Sequence, residues 1–442
     1  MIKGLTSPAP GPKGQLYAEP QASPDEQTFR VDNTSSEYYN SPYFKAHQNQ
    51  VQPIPPRRNE LPLNLTDFAP QAVLDAIQKT GKITFHAVGD TGAANVNRAQ
   101  TAATALGHES AVADAMAKDT IDPSGPAFFF HLGDVIYNFG EAQYYYDQFY
   151  EPFRSYNRPI FAIPGNHDGM VFGQGSSGPQ VPTLDAFLTN FCSAAVGPSP
   201  DAGGLIRSVM TQPGVYFTLD APFVSIIGLY SNVLDGPGVI SSQGGHFHIG
   251  DDQLTFLKSE LTRLKPDRTA HKRAVLLAVH HPPLSADAKH GGSMGIQKDI
   301  DACCKAAGLW PDALLSGHAH LYQRFTRTVA AAGGKETPYI VSGSGGFAAT
   351  APKANAVAGT KVGDHVLEVA PIIDFGYLTI ETDAKTLSFT FKTADQNGVA
   401  IRDSVSVDLK AGKLLSSDGP IAAPAAPAAP AARKKPAPRK KK

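Results

Sequence analysis

Five short segments constrain the fold of this chain most, because each follows an apolar run and carries side chains of the kind that bind metal ions. They are Gly89-Asp90-Thr91-Gly92, Gly133-Asp134-Val135-Ile136-Tyr137, Gly165-Asn166-His167-Asp168, His280-His281-Pro282 and Gly317-His318-Ala319-His320. The functional side chains of an open α/β sheet stand at the carboxyl ends of its strands. We therefore expect the five segments to end buried strands and to meet along one edge of the fold.

The apolar runs alternate with helical patterns, as in a chain of βαβ units. Strands are predicted at residues 82–88, 127–132, 159–163, 215–219, 224–229, 274–279, 313–316, 339–342, 377–381 and 386–391. Helices are predicted at 97–118, at the aromatic-rich stretch 141–153, whose rings we expect in the core, and at 252–264, where leucines recur on one face. The predicted fold class is α/β (α+β), with two facing mixed β-sheets flanked by helices.

The two ends of the chain differ in composition from its middle. Residues 1–78 are rich in Pro, Asn and Gln and show no sustained period, which indicates an N-terminal extension. Its aromatic stretch at 38–44 either docks on the folded domain or belongs to a mobile arm. Residues 413–442 form an Ala/Pro spacer with a Lys/Arg-rich tip, for which we expect a disordered coil. The folded domain is predicted at 79–412.

Composition also restricts the setting of the protein. The last ten residues hold seven of the 39 basic side chains, so the rest of the chain is mildly acidic, with 32 basic residues against 40 acidic ones. Three cysteines cannot form an even disulfide framework. The N-terminus lacks the apolar core of a secretory signal, and no stretch of about 18 apolar residues follows. We therefore expect a cytoplasmic protein without a transmembrane segment.

The side chains of the five segments indicate the ions that they bind. Carboxylate, amide, phenol and imidazole donors without a thiolate suit hard or borderline cations such as iron, manganese or zinc. His318 and His320 are two positions apart, so in an extended segment both would point to one side and could reach two neighbouring ions. A structural role explains one buried histidine well, but it explains three together with two aspartates and an asparagine poorly. The pattern predicts a two-metal site, and paired ions of this kind hydrolyse phosphate esters.

The ordered motifs Gly-Asp-x-Gly, Gly-Asp-x-x-Tyr, Gly-Asn-His-Asp, His-x-Pro and Gly-His-x-His resemble those of the calcineurin-like metallophosphoesterases over roughly residues 82–393. Most members of that superfamily have Asp-x-His in the first motif. Here Gly92 stands in the place of that histidine and Tyr137 is available as a phenolate, which is similar to the purple acid phosphatase branch. The resemblance implies a four-layer metallophosphoesterase sandwich, with 79–412 as its catalytic domain.

Carried over motif by motif, the resemblance implies two groups of metal ligands. Asp90, Asp134, Tyr137 and His320 would hold the first metal, and Asp134, Asn166, His280 and His318 the second, so that Asp134 bridges the two. The first ion in this branch is ferric iron. Ligand chemistry agrees, since a phenolate and two carboxylates favour a trivalent ion, whereas an amide and two imidazoles suit divalent iron, zinc or manganese.

The expected reaction is the attack of a metal-bound hydroxide on phosphorus, in line with the leaving group. His167 is the predicted general acid for the departing alkoxide, with a role in orienting a ligand as the alternative. His290 lies in a Gly-rich loop near the place where the family has another active-site histidine, so a catalytic role is one option and a shift by an insertion the other. We expect His131 and His281 to make local hydrogen bonds and Asp168 to hold His167 or its loop.

Three functions remain open at this point. The first is a metal-dependent acid phosphomonoesterase that acts on a phosphate-ester small molecule or a phosphorylated substrate. The second is a phosphodiesterase or nuclease with the same metals, in which the basic tail could hold nucleic acid or another anionic surface by charge. The third is a catalytically inactive scaffold of the same fold. Such a scaffold should have lost ligand positions, and none of them is missing here.

Overall fold

The computed structural model of the chain describes residues 30–31, 54–92, 102–137, 140, 142–169, 184–231, 238–242 and 250–415, with the backbone alone at 30–31, 102–107 and 143. Most of the predicted N-terminal extension, including its aromatic stretch 38–44, and residues 416–442 of the predicted spacer and basic tip lie outside the described residues. Residues 63–80 already contribute an edge strand and a helix to the folded unit. The division into extension, catalytic domain and spacer stays a prediction.

The described residues form strands that we number in chain order. They are β1 Arg30–Val31, β2 Leu63–Asn64, β3 Ile83–Val88, β4 Phe129–His131, β5 Ile160–Ala162, β6 Phe217–Ala221, β7 Val224–Leu229, β8 Ala274–Val279, β9 Gly292–Ser293, β10 Ala313–Ser316, β11 Tyr322–Val329, β12 Lys335–Ser342, β13 Lys361–Val362, β14 His365–Leu367, β15 Gly376–Thr382, β16 Thr386–Asp395, β17 Gly398–Asp408 and β18 Lys413–Leu415.

The helices are numbered in the same way. The α-helices are α1 Gln71–Thr80, α2 Ala102–Asp119, α3 Asp185–Phe191, α4 Asp252–Thr269 and α5 Met294–Ala307. Short 3₁₀ turns lie at Leu65–Asp67, Ala142–Tyr144, His167–Gly169 and Ala330–Ala332, and a π-helical turn at Tyr146–Tyr150. None of the described helices combines the length and the apolar character that crossing a bilayer requires.

Two large mixed sheets carry the fold. One has nine strands in the order β13-β14-β11-β12-β10-β8-β7-β6-β2, and the other has seven in the order β18-β17-β16-β15-β3-β4-β5. Their inner faces share one apolar core, while a second core lies under the helices. Because α2 contacts β15 and β16 of one sheet and α4 contacts β7 and β8 of the other, helices cover both outer faces. The predicted pair of facing mixed sheets flanked by helices is confirmed.

Parallel strands align the segments that matter for function. In the seven-stranded sheet β3, β4 and β5 run parallel, with Val88 opposite His131 and His131 opposite Ala162. In the nine-stranded sheet β7, β8, β10 and β12 run parallel. In each sheet the carboxyl ends of these parallel strands therefore lie at one edge. The five segments of the sequence leave the sheets at these edges.

Local sequence accounts for several element boundaries. Helix α5 begins after Ser293, whose hydroxyl accepts the N–H of Ile296. It ends at Ala307, before Gly308, whose φ of 66° is a left-handed conformation that glycine adopts without strain. The predicted helix at 252–264 is confirmed and continues to Thr269 as α4, with Leu257, Leu261 and Leu264 buried.

The segment 142–153 differs from the single regular helix predicted there. It forms a 3₁₀ turn followed by the π-helical turn Tyr146–Tyr150. Tyr145, Phe149, Tyr150 and Phe153 are nevertheless buried in the core, as predicted. The rings at positions 145, 149 and 150 all pack inward. The wider π-helical turn brings these three positions closer to one side of the backbone than a regular α-helix would.

Candidate metal centre

Both sheets contribute side chains to one buried cluster. Asp90, Asp134 and Asn166 follow β3, β4 and β5, whereas His280 follows β8, and His318 and His320 follow β10. All seven predicted ligands are buried, and none of them exposes more than 6% of its surface. Residues as far apart in the sequence as Asp90 and His320 thus line one gap between the carboxyl edges of the sheets.

Three of these residues adopt a left-handed backbone conformation. The φ angles of Asp90, Asp134 and His318 are 58°, 55° and 68°. Aspartate and histidine tolerate this region better than most residues, but it still carries strain of about 1–3 kcal/mol, which persists where the surrounding structure enforces it. His318 and His320 therefore lie in a turn, so the extended segment assumed in the sequence analysis was wrong, although both rings reach the cluster.

The hydroxyl group of Tyr137 lies between two carboxylates. It is 3.1 Å from Oδ1 of Asp90 and 2.9 Å from Oδ2 of Asp134, and Nε2 of His320 is 3.4 Å away. Nε2 of His320 is also 3.4 Å from Oδ1 of Asp90. The four side chains predicted for the first metal therefore converge on one another.

The amide oxygen of Asn166 is the centre of the second group. Nε2 of His280 and Nδ1 of His318 each lie 3.0 Å from Oδ1 of Asn166. Nε2 of His280 is 3.4 Å from Oδ2 of Asp134, the same oxygen that accepts the Tyr137 hydroxyl. Asp134 thus connects the two groups, which is the arrangement that a bridging carboxylate requires.

Glycines allow the backbones and side chains of the cluster to approach closely. A Cβ atom on Gly317 would lie 2.6 Å from Oδ2 of Asp90, and one on Gly92 would lie 2.7 Å from Cδ2 of Tyr137. Gly92 and Tyr137 are therefore linked sterically, because any larger residue at position 92 would displace the tyrosine ring. Phe347 stacks on the same ring at a centroid distance of 3.6 Å.

The electrostatics of the cluster favour the binding of cations. Burial and the nearby charges of Asp134 and Asp90 raise the pKa of Tyr137 well above its ordinary value, so a phenolate there needs strong positive charge beside it. Burial disfavours a charged His280, but the charges of Asp134 and Asp90 and the hydrogen bonds to Asp134 and to the carbonyl oxygen of Leu132 together outweigh burial and raise the pKa of His280 to about 9. Ligand atoms of Asp90, Asp134 and His280 lie within 4.8 Å of one another, so the two predicted ligand sets adjoin each other at Asp134. Two buried carboxylates need nearby positive charge to stabilise them, and a dinuclear metal site would supply it.

The two predicted catalytic histidines border this cluster. The backbone N–H of His167 donates to Oδ1 of Asp134 over 2.9 Å, and its ring lies 4.3 Å from that of Tyr137. The ring of His290 lies 4.9 Å from that of His318 and 4.8 Å from that of His320. Both histidines are therefore close enough to meet a substrate held by the cluster, and His290 is at the site despite the uncertain spacing of its loop.

The support for His290 was not foreseen from the sequence. Nδ1 of His290 is 3.1 Å from Oδ2 of Asp287, which also accepts the hydroxyl of Thr350. Burial opposes ionisation of Asp287, but the contact with His290 and the hydrogen bonds from Thr350 and the N–H of Lys289 together outweigh burial and lower the pKa of that carboxyl to about 2. An aspartate three positions before a histidine in a loop is too common to signal such a contact. The stacking of Phe347 on Tyr137 was not foreseen either, because Phe347 follows a Gly-rich turn and belongs to no motif.

Three further predictions concerned residues behind the cluster. The carboxylate of Asp168 accepts backbone N–H groups of Val135, Ile136 and Gly165, so it holds the loop, which was one of the two predicted roles. The local hydrogen bonds predicted for His131 and His281 are confirmed. Nδ1 of His131 accepts the N–H of Gly133 and its Nε2 lies 2.8 Å from Oγ1 of Thr91, while Nδ1 of His281 lies 2.8 Å from Oγ of Ser231.

Solved structures of similar fold include a purple acid phosphatase from yellow lupin (Lupinus luteus) seeds, at 14% identity and a TM-score of 0.48 over 74% of this chain and 54% of that one. The chain thus spans about half the length of the lupin protein. PhoD matches at 13% identity and a TM-score of 0.48, covering 84% of this chain and 74% of its own. A dimetal phosphatase from Danio rerio matches at 12% identity and a TM-score of 0.41, covering 72% and 98%.

No curated protein sequence matches the chain. The sequence pattern of the calcineurin-like phosphoesterases, in contrast, matches residues 83–322. This range is more than half of the 442 residues and contains every residue of the cluster from Asp90 to His320. The chain therefore belongs to the calcineurin-like phosphoesterase family.

Proposed function

We propose that this protein is a dinuclear metal-dependent phosphatase, and specifically a phosphomonoesterase of the purple acid phosphatase type. The observation that carries the proposal is the position of the Tyr137 hydroxyl, which lies within 3.4 Å of Asp90, Asp134 and His320. A phenol in the middle of a metal-ligand cluster is suited to bind a trivalent ion as a phenolate. Gly92 leaves the space that this ring needs.

The residues of the cluster divide into two ligand sets around Asp134. Asp90, Asp134, Tyr137 and His320 would hold ferric iron, and Asp134, Asn166, His280 and His318 would hold divalent iron, zinc or manganese. The chemistry that such a pair of ions supplies is Lewis acidity toward a phosphoryl oxygen and the ionisation of a water molecule near neutral pH. Three of the ligands are fixed by a further hydrogen bond. Nδ1 of His280 donates to the carbonyl oxygen of Leu132 over 2.8 Å, Oδ1 of Asp134 accepts the N–H of His167, and Oδ2 of Asp90 accepts the N–H of His318.

The histidines at the border would handle the phosphate ester itself. Because the carboxylate of Asp287 accepts a hydrogen bond from Nδ1 of His290, the proton of neutral His290 lies on that nitrogen and Nε2 is left to meet the substrate. His167 would donate a proton to the oxygen of the leaving alcohol. Its backbone is fixed by Asp134 and its ring by contact with Tyr137, so its distance from the ester is set by the cluster.

Assays with a matched pair of substrates test the proposal. The metal-loaded protein should hydrolyse p-nitrophenyl phosphate with a kcat/KM at least about tenfold above that for bis(p-nitrophenyl) phosphate, because a dianionic monoester gains more from a cationic site. Asp134→Ala should lower kcat/KM by roughly 10²–10³-fold or more, since it removes the residue common to both ligand sets.

The exposed Asp114 on α2 offers a matched control, and Asp114→Ala should keep wild-type activity and metal content. A preference for the diester would favour the phosphodiesterase instead. A folded wild-type protein that binds no metal would identify an inactive scaffold.

A further inference from the structure

A pocket of about 410 Å³ opens at the opposite end of the nine-stranded sheet from the metal centre. It lies between the C-terminal ends of α4 and α5, the start of β12 and the turn between β17 and β18. Strand β12 connects the two places, because Lys335 at its first residue lines the pocket and Gly343 beyond its last residue lies against Asp90. Eight strand residues span roughly 25 Å, so the pocket is separate from the catalytic centre.

The ionisable side chains that line this pocket have one sign of charge. Those in the described part of the chain are all basic, namely Arg268, His271, Lys305, Lys335 and Lys410. Lys305 and Lys410 are exposed, and neither joins a carboxylate in an ion pair among the described residues. Their ammonium groups are therefore available to a ligand, and the volume falls within the usual 300–1,000 Å³ of small-molecule sites.

The wall behind these lysines is held by a buried ion-pair network. The carboxylate of Asp312 binds Arg268 through two contacts of 2.7 and 2.8 Å and the ammonium group of Lys335 over 2.7 Å. Arg268 also donates to the carbonyl oxygen of Leu409. One carboxylate thus fixes two cations in place, and the wall keeps an excess of positive charge.

Basic side chains near helix C-termini have an ordinary explanation, since they offset the negative end of the helix dipole. Here Lys265 meets that need for α5, because its ammonium group donates to the carbonyl oxygen of Ala307. The chain places Arg268, Lys305, Lys335 and Lys410 around the pocket, with Lys265 beside them. Two carboxylates offset part of this charge, because Asp312 binds Arg268 and Lys335, and Asp408 lies next to Lys410. After about half a negative charge for each of the two helix ends, roughly two positive charges remain for a ligand.

We propose that this pocket binds a small oligophosphate, an anion that carries two or more linked phosphate groups. Lys305 and Lys410 would contact the phosphate oxygens, as flexible ammonium groups do in many phosphate sites. Trp310, which also lines the pocket, supplies a flat apolar wall beside them. Inorganic oligophosphates and nucleoside polyphosphates share this chemistry, and the aromatic wall could favour the latter through stacking on a base.

Trp310 is the only tryptophan of the chain, so its fluorescence reports on this pocket directly. The protein would be titrated with methylenediphosphonate, a non-hydrolysable analogue of pyrophosphate, and separately with the β,γ-methylene analogue of ATP. We expect a saturable change in Trp310 emission in the wild type. The double variant Lys305→Gln/Lys410→Gln should bind roughly tenfold or more weakly, because it loses two charge-assisted contacts. The variant Lys258→Gln, at an exposed position of α4 outside the pocket, should titrate like the wild type.

The outcomes separate the ligand sources and the two sites. If the ATP analogue binds more tightly than methylenediphosphonate, the ligand is a nucleotide. If it binds equally or more weakly, the ligand is an inorganic oligophosphate. Either result supports oligophosphate binding in the pocket. The absence of a saturable change, or equal affinities for the wild type and the double variant, would overturn it. Asp134→Ala should titrate like the wild type, and loss of binding in that variant alone would place the ligand at the metal centre. The fluorescence titration does not require catalytic turnover. The binding result can therefore be interpreted even if the proposed phosphatase activity is not found.

Discussion

At the scale of single residues, Tyr137 and Gly92 are linked sterically in the candidate metal centre. The tyrosine ring occupies the space beside position 92, where a Cβ atom would meet it at 2.7 Å, and the ring also stacks on Phe347. A ring held by such contacts would lose little entropy if its oxygen bound a metal. The two positions are 45 residues apart in the sequence, and each is informative only in combination with the other.

The visible spectrum of the iron-loaded protein tests the role of Tyr137. Wild-type protein should show a violet absorption band from charge transfer between the phenolate and ferric iron, and Tyr137→Phe should lose it. Phenylalanine keeps the stacking on Phe347, so thermal stability should change little. A colourless wild type with a full complement of metal, or a band that persists in Tyr137→Phe, would contradict the assignment of this residue as an iron ligand.

His131 links the first two Gly-Asp segments and should make stability depend on pH. Burial, helped by the charge of His280, lowers its pKa to about 3, whereas an unfolded histidine titrates near 6.5. Below pH 6.5 the unfolded state therefore binds a proton that the folded state does not. The stabilising contribution is complete above pH 6.5 and is lost progressively as pH falls toward 3.

Urea unfolding of metal-stripped protein at pH 7.5 and 4.5 measures this effect. His131→Asn should be less stable than the wild type at pH 7.5, because it loses the contacts with Thr91 and Gly133. Its further loss of stability on acidification should be smaller than that of the wild type by about 2–3 kcal/mol. Equal losses for the two proteins would show that His131 does not titrate on unfolding.

At the scale of elements, the turns that follow the strands orient the side chains of the site more directly than the strands do. The strands bring each segment to one edge, but the left-handed residues Asp90, Asp134 and His318 turn the side chains into the gap between the sheets. The turn after β10 packs tightly against the segment after β3, where the N–H of His318 donates to Oδ2 of Asp90 over 2.8 Å. A change in one turn should therefore affect the ligands of another.

Gly317→Ala tests this coupling between turns. The new methyl group would lie 2.6 Å from Oδ2 of Asp90, so Asp90 must move and metal affinity should fall roughly 10–100-fold. Competition with a chelator measures the change. Gly81→Ala is a matched control, because Gly81 has a φ of 68° but no atom within 4 Å of the added methyl group. It should cost about 1 kcal/mol of stability and leave metal affinity unchanged. Wild-type affinity in Gly317→Ala would argue against the coupling.

At the scale of the whole molecule, the site exists because two sheets are held face to face. A buried ion pair contributes to this contact, since Arg324 on β11 donates to both carboxylate oxygens of Asp403 on β17, over 2.6 and 3.0 Å. The hydroxyl of Tyr322 also donates to Asp403, and its ring stacks on Phe391 at 4.0 Å. Polar and aromatic contacts thus join the two sheets within an otherwise apolar core.

Asp403→Ala should cost about 3–5 kcal/mol of unfolding free energy, because it leaves the Arg324 charge buried without a partner. Asp374→Ala removes a comparable partner from Arg402 at the surface, where Asp374 is 53% exposed, and should cost less than about 1 kcal/mol. Urea unfolding compares the two variants. Similar small costs in both would mean that the buried pair adds nothing beyond its hydrophobic surroundings.

Much of this organisation could be predicted because it depends on neighbouring residues. Apolar runs placed β8 at 274–279 and β10 at 313–316 with the bounds that the structure has, since a buried strand needs a continuous apolar stretch. The irregular turn Tyr146–Tyr150 could not be foreseen in this way, because its form depends on which aromatic rings fit into the core. Strand order was equally out of reach, since β3 pairs with β15, almost 300 residues later.

The order of residues along the chain is enough to establish which donors are present, at which strand ends they stand and therefore which family of fold and chemistry they belong to. Which donors meet depends on the packing of the folded chain, as with the Tyr137 hydroxyl between Asp90 and Asp134, or Nδ1 rather than Nε2 of His318 beside Asn166. That packing also brings Asp287 beside His290 and gathers the basic side chains around Trp310. Chain-local patterns fix backbone conformation, whereas distances between remote side chains depend on how two complete sheets pack against each other.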